Sequence, residues 1–421
     1  MRMRTRASGA AVFLCVMGHV RPAAAQVDQE RAQAFFKEAH ALCERDAVRL
    51  WRVSFCAPMV VGDPRTQTFA TSQTPPDAPR PPLVGLINAP IQWGGETWGA
   101  YMWDFLINET PQHRNEILIH ELFHSVQPRL GLAASNLQTE HLDAVEGRYW
   151  LRLEWRALAR ALGESGARRN AAVSHALAFR QARRALYAGA AERERASEIV
   201  EGLAAYTGTV VAAPSAAGAN ERAIELLVNG ESAASFVRTF AYMSGPAYGL
   251  LLDAASPGWR QRVRGTDDLG TLAMTALAVQ PAADATAAAA GYGGGELLAA
   301  ERQREQQRQE RVAELRRQFV DGPVLLIRGG GGGMFDSRGA VVISGEGTVY
   351  FSEFRYSGAA GSLEARKGVL VGSDGGSRRV AVPVRQADGT FAGDGWTFKA
   401  APGWIVREGP RRGDFEVVQD K

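Results

Sequence analysis

The sequence predicts an α+β protein that ends in a small all-β domain. Three observations carry this. Short β-textured runs lie between residues 57 and 104, helix-period stretches fill 116–127 and 141 to about 280, and short runs separated by glycine turns return after Gly322. At 421 residues the chain has room for one elaborated domain and a second small one. Apolar residues at 46% and charged residues at 22% fit a globular protein rather than a disordered one. The formal charge of +3 gives no ground for a nucleic-acid or acidic-membrane partner. The cations are almost all arginine, with lysine only at Lys37, Lys367, Lys399 and Lys421.

Residues 1–25 read as a secretory signal peptide. Arg2, Arg4 and Arg6 precede a short apolar stretch, Ala10 to Val20, and Ala23-Ala24-Ala25 offers a small-residue cleavage site before Gln26. The rival reading is an uncleaved anchor, but the apolar run is short for a bilayer. Bulky Phe13 and Leu14 argue against lipid attachment at Cys15. The expectation is an exported protein, periplasmic or extracellular, with no membrane span after cleavage. Export leaves Cys43 and Cys56 as a pair, and an oxidising compartment favours their disulfide.

Along the chain, a first α+β domain is expected over 26–280. Residues 27–53 carry a helical apolar face made by Phe35, Phe36, Ala39, Leu42 and Cys43. Met59 to Val61 and Thr66 to Thr71 read as strands around a turn at 62–65. Leu83 to Ile87 and Thr97 to Trp103 read as further strands around a Gly94-Gly95 turn. A buried helix is predicted over 116–127, limited by Pro128. Helices follow at 142–163, 171–187, 191–207, 220–229, 232–243 and 246–254, the last started by Ser244 as cap with Pro246 in its first turn. Residues 281–322 read as an alanine- and glycine-rich segment and a polar, solvated helical linker. Residues 323–421 read as a sandwich or barrel, and Gly329 to Gly333 as a glycine tether, since no Lys-Ser/Thr follows to make a phosphate loop. Trp396 and Trp404 read as core, with an aromatic surface as the alternative.

Within the buried helix stands His120-Glu121-Leu122-Phe123-His124, an HExxH motif. Residues four apart share a helix face, so both imidazoles can bind one Zn²⁺, and Glu121 lies where it can take a proton from water. Glu121 is the only charge between Ile117 and Gln127, which separates this segment from a chance match on a solvated helix. Strands followed by such a helix form the arrangement a zincin catalytic domain needs. In that arrangement an edge strand holds an extended peptide, and Trp98 to Trp103 is the candidate strand.

A catalytic zinc needs a third protein ligand. Gln127 and Leu130 stand where a metzincin has glycine and histidine, so that class is excluded. Several glutamates could serve, with Glu201 the first choice and Glu154 the second. Glu201 lies in a helical segment where small Gly202 would let its helix approach the HExxH helix. Glu154 lies closer in sequence, among tryptophans and leucines, where Arg152, Arg156 or another arginine is the plainer partner. Glu198, one turn before Glu201, is a candidate to hold a ligand histidine.

The segment Glu201-Gly202-Leu203-Ala204-Ala205-Tyr206 resembles the NEG-x-A-x-Y stretch of gluzincins such as the aminopeptidase N group. The resemblance covers about 20 residues in all, counting the HExxH segment. Val200 replaces the usual asparagine, and the separation from His124 is longer than in that group, which makes 141–195 a helical insertion. The resemblance implies a secreted peptidase with one catalytic Zn²⁺ held by His120, His124 and Glu201, Glu121 as general base, and a peptide or protein substrate. Two other readings stand beside it: an envelope scaffolding protein with a relic metal site, and a metallohydrolase of a non-peptide amide or ester. His113 and Arg114 can reach the cleft or face solvent, and His141 and His175 read as ordinary helix residues. Tyr206, Tyr242 and Tyr248 are candidate oxyanion donors, or packing.

Overall fold

The computed structural model describes residues 26–420, apart from 47, 64–65, 80–87, 135–138, 336–338 and 352–353. The expected signal peptide and the expected strand at Leu83 to Ile87 lie outside the described residues.

The chain opens with helix α1 (Gln29–Asp46), whose buried side is Ala32, Phe35, Phe36, Ala39 and Cys43. It stops short of residue 53 because Val48 and Arg52 take left-handed backbone conformations, with φ of 62° and 56°. Cys43 is bonded to Cys56 in a disulfide, as the sequence favoured. Strands β1 (Met59–Asp63), β2 (Thr68–Thr71), β3 (Ala89–Trp93) and β4 (Glu96–Met102) form one sheet in the order β2-β1-β4-β3. β1 and β4 run parallel; the other pairs are antiparallel. Gly94 and Gly95, both at positive φ, close the β3–β4 hairpin. The segment proposed as an edge strand is therefore interior: β4 is paired on both sides, and among the described residues the edges are β2 and β3.

After the short α2 (Trp103–Ile107) comes α3 (Pro111–His124), capped by the Thr110 side chain, which accepts from the His113 N–H, with Pro111 at its first position. Leu118, Ile119, Leu122 and Phe123 are fully buried on it. Tyr101 of β4 donates to the Leu118 carbonyl at 2.8 Å and pins the helix to the sheet. Helices α4 (Val145–Gly163), α5 (Gly166–Ala185), α6 (Ala190–Ser197), α7 (Leu203–Ala212), α8 (Ala216–Gly230), α9 (Phe240–Ala255), α10 (Leu269–Ala276), α11 (Ala285–Ala289) and α12 (Gly294–Arg316) follow. The predicted helix at 232–243 is mostly turns, and the predicted break at Ser244 is absent. α9 runs through Pro246, with Ser244 buried and accepting from the Trp155 indole at 3.0 Å. Tertiary burial of this apolar segment overrides the local stop signal.

From residue 302 to 314 α12 is exposed or half-buried, as the solvated helix expected, and burial on it is confined to Gly294, Leu297, Glu301 and Leu315. Glu301 on it is buried and paired with Arg148 and Arg152 of α4. Beyond it, strands β5 (Val324–Arg328), β6 (Gly331–Met334), β7 (Val341–Ile343), β8 (Gly347–Tyr350), β9 (Phe354–Gly358), β10 (Gly361–Ala365), β11 (Val369–Gly372), β12 (Ser377–Ala381), β13 (Val384–Arg385), β14 (Phe391–Gly393), β15 (Trp396–Ala400), β16 (Trp404–Glu408) and β17 (Phe415–Gln419) form two sheets. Their orders are β13-β14-β15-β10-β9-β6 and β16-β17-β5-β12-β11-β8-β7. They share a core in which Leu325, Ile327 and Val380 of one sheet meet Tyr356, Leu363 and Phe398 of the other. The expected tether at Gly329 to Gly333 is in large part strand β6, pressed so closely on β9 that a Cβ at Gly331 would lie 2.5 Å from the Ser357 carbonyl oxygen. Trp396 is buried and donates to the Ala381 carbonyl.

Candidate metal centre

Two helical elements meet at this site. α3 brings His120 and His124 one turn apart on one face, with Glu121 between them. The other element is a helix that runs from α6 into α7 through a single π turn, Glu198–Gly202. Such turns carry an extra residue and recur at functional sites, and Glu201 sits in this one.

Glycines set how closely the elements approach, though not in the expected way. Gly202 faces α9 rather than α3: a Cβ at Gly245 of α9 would lie 2.2 Å from the Gly202 carbonyl oxygen. The close approach to α3 belongs to Gly208, where a Cβ would lie 2.6 Å from the Glu116 carbonyl oxygen. Under both helices Trp51 packs on Phe123 and donates to the Thr207 hydroxyl at 2.9 Å.

The three expected ligands converge. His120 Nε2 and His124 Nε2 lie 2.9 Å apart, and Glu201 Oε2 lies 3.3 Å from the first and 3.5 Å from the second. Four ligands at about 2.0–2.1 Å around a tetrahedral metal stand roughly 3.3 Å from one another, so the observed triangle matches three corners of that figure. Two imidazoles and one carboxylate are also a donor set suited to zinc. Among the described residues this is the one group of three His, Cys, Asp or Glu side chains placed to hold a metal ion. The site is open on one side, the Glu201 side chain being 31% exposed.

Glu121 is buried beside the triangle, and its Oε2 has no hydrogen-bond partner among the described residues. Burial raises its pKa and the Glu201 carboxylate adds to this; the two histidines act the other way and do not cancel it. Burial would raise the Glu201 carboxyl as well, but its bonds to His120 and His124 pull it far below the usual range. Burial would lower His124, and the facing Glu201 and Glu121 carboxylates outweigh that and raise it. The Tyr242 hydroxyl donates to Glu201 Oε2 at 2.6 Å, and its ring stacks on His120 with centroids 5.1 Å apart. Burial first, and the Glu201 charge second, hold that hydroxyl protonated.

The other candidates lie elsewhere. Glu154 is fully buried among Arg180, Arg183 and the Tyr248 hydroxyl and is not part of the His120–His124–Glu201 triangle. The arginine partners the sequence allowed for are thus Arg180 and Arg183 rather than Arg152 or Arg156, because residues two apart on a helix face apart; Arg152 and Arg156 turn to Glu231. Among the described residues Glu198 holds no histidine. It pairs with Arg180, and burial raises its pKa despite that partner. Tyr206 donates to Asp253. His113 bonds Glu109, Arg114 lies over the Phe35 ring, His141 pairs with Glu194 and His175 meets the Tyr292 hydroxyl.

The residue that contacts His124 from behind is Gln127, 2.6 Å from its Nδ1. The sequence offered one signal for it: an amide three positions after a ligand, in an apolar stretch just before Pro128. The chain matches no protein-family model, and neither a curated protein nor a solved structure matches it.

Proposed function

We propose that this protein is an exported, zinc-dependent metallopeptidase of the gluzincin type, with His120, His124 and Glu201 as metal ligands and Glu121 as general base. The observation that carries the reading is the convergence of two imidazoles and one carboxylate on a triangle of metal-ligand dimensions, beside a buried carboxylate with a free oxygen. A mixed sheet behind the HExxH helix, with the third ligand on a later helix, supports the same reading.

Bound Zn²⁺ would supply a Lewis acid for the scissile carbonyl and would acidify a water in its open position. The chain's own groups do the rest. Glu121 Oε2, with no partner to displace, accepts the water proton and passes it to the departing amine. Tyr242 holds Glu201 toward the imidazoles through its 2.6 Å bond. The free oxygen on Glu121 favours catalysis over a relic site, since a scaffolding protein gains nothing from an unpartnered buried carboxylate oxygen.

Glu121→Gln tests this. Hydrolysis of a general protein substrate is expected to fall by about 10²- to 10⁴-fold while zinc stays bound. An unchanged rate would reject Glu121 as the base. Absence of peptide cleavage by the wild type, with turnover of amide or ester cell-wall material, would redirect the reading to a non-peptide substrate.

A further inference from the structure

We infer that Gln127 is a positioning residue that serves two of the three ligands at once: it selects the ring tautomer of His124 and holds the turn that aims Glu201. The inference rests on the metal-ligand reading above.

Gln127 is only 3% exposed and opens the short 3₁₀ turn after α3. Its Nε2 lies 3.0 Å from the Ile199 carbonyl oxygen and 2.8 Å from that of Val200. Carbonyl oxygens only accept, so the NH₂ end of the amide must face them. The opposite end is Oε1, and it lies 2.6 Å from His124 Nδ1. Oε1 also only accepts, so Nδ1 carries the hydrogen. This orientation follows from the hydrogen-bond network, since a flipped amide would set its oxygen against two carbonyl oxygens. In the neutral ring, Nε2 then keeps its lone pair. Nε2 is the atom that faces His120 and Glu201, and a metal ligand must present that lone pair.

The other end of the same amide grips the backbone. Ile199 and Val200 are the two residues before Glu201 in the π turn. One side chain therefore fixes the imidazole of one ligand and the main chain of another, across elements more than 70 residues apart in sequence. Without it, His124 is free to take either tautomer and the π turn loses its tie to α3.

Two measurements test this. In metal-free wild type at mildly alkaline pH, nitrogen-15 spectra of the histidine rings are expected to show His124 as a single Nδ1–H tautomer. Gln127→Met, similar in size and without amide donors or acceptor, is expected to show both tautomers. Its Zn²⁺ affinity, by chelator competition, is expected to fall about 10- to 100-fold while cooperative unfolding persists. Gln127→Glu keeps an acceptor toward Nδ1 but turns oxygen on Ile199 and Val200. It is expected to keep the tautomer and still lose affinity. An Nε2–H tautomer in the wild type, or full Zn²⁺ affinity in folded Gln127→Met, would overturn the inference. If Gln127→Met does not fold, the wild-type spectrum still decides. That spectrum needs neither metal nor turnover, so its outcome is separate from the peptidase reading, which Glu121→Gln judges.

Discussion

Glu201 and Glu154 are both carboxylates on helices rich in apolar residues, and the fold sends them to opposite fates. Glu201 faces two imidazoles and a tyrosine hydroxyl; Glu154 is closed in by two guanidinium groups and another tyrosine. The two alanine variants should differ accordingly. Glu201→Ala is expected to lose zinc with little change in folding. Glu154→Ala is expected to keep zinc but lose roughly 3–5 kcal/mol of stability, because Arg180 and Arg183 are left buried short of a partner. Metal analysis and denaturant unfolding of both variants check this. HExxH was legible because its chemistry depends on local spacing alone. Gln127 was not, because its partners, Ile199 and Val200, come from a distant segment. Tyr242 could be listed as a candidate, but nothing in its own neighbourhood distinguishes it from Tyr206 or Tyr248.

At the scale of elements, the site depends on three helical segments held at glycine contacts and on a buried ionic cluster behind the π turn. Gly245→Ala would drive a Cβ into the Gly202 backbone and push α9, with Tyr242, away from Glu201. Overpacking of this kind costs about 1–3 kcal/mol, and zinc affinity should weaken with it; unchanged melting and affinity would show that α9 has room to move. The cluster joins Glu154, Glu194, Glu198 and Asp268 to Arg180, Arg183 and Arg184. Burial would raise Glu194 and Asp268, but Arg183 for the first and Arg180 for the second win, so both carboxyls titrate below their usual range. A depressed folded-state pKa gives stability that is full above the unfolded value and is lost as pH falls through the folded one. Stability should therefore decline as pH drops below about 4. Glu198, raised by burial, opposes part of this. Melting temperatures across an acid series check the sign, and a rise on acidification would contradict it. The sequence missed the continuity of α9 and the burial of Glu301 for one physical reason: Pro246, Ser244 and a lone glutamate are locally unfavourable for burial, yet Trp155 and the arginines of α4 supply the missing partners.

On the scale of the whole molecule, the helical part and the C-terminal sandwich have separate apolar cores. α12 links them, carrying Glu301 to α4 at one end and, at the other, Leu315, which packs with Ile343 and Val349 of the sandwich. Calorimetry is expected to show two unfolding transitions. Zinc should raise only the one belonging to the helical part, by about 2.7 kcal/mol at a hundredfold excess over its dissociation constant. A single transition that zinc moves as a whole would show that the two cores unfold together. The change of texture at Gly322 was readable because turn glycines punctuate short strands. The sheet order was not, because pairing in β2-β1-β4-β3 depends on contacts no local pattern encodes. Among the described residues no helix is long and apolar enough to cross a membrane.

The most direct measurement is zinc stoichiometry of the purified wild type beside His120→Ala, Glu201→Ala and Glu121→Gln. One zinc per chain is expected in the wild type and in Glu121→Gln, and loss of it in the other two. Full zinc in Glu201→Ala, or a wild type that holds none, would contradict the metal centre and the hydrolysis built on it.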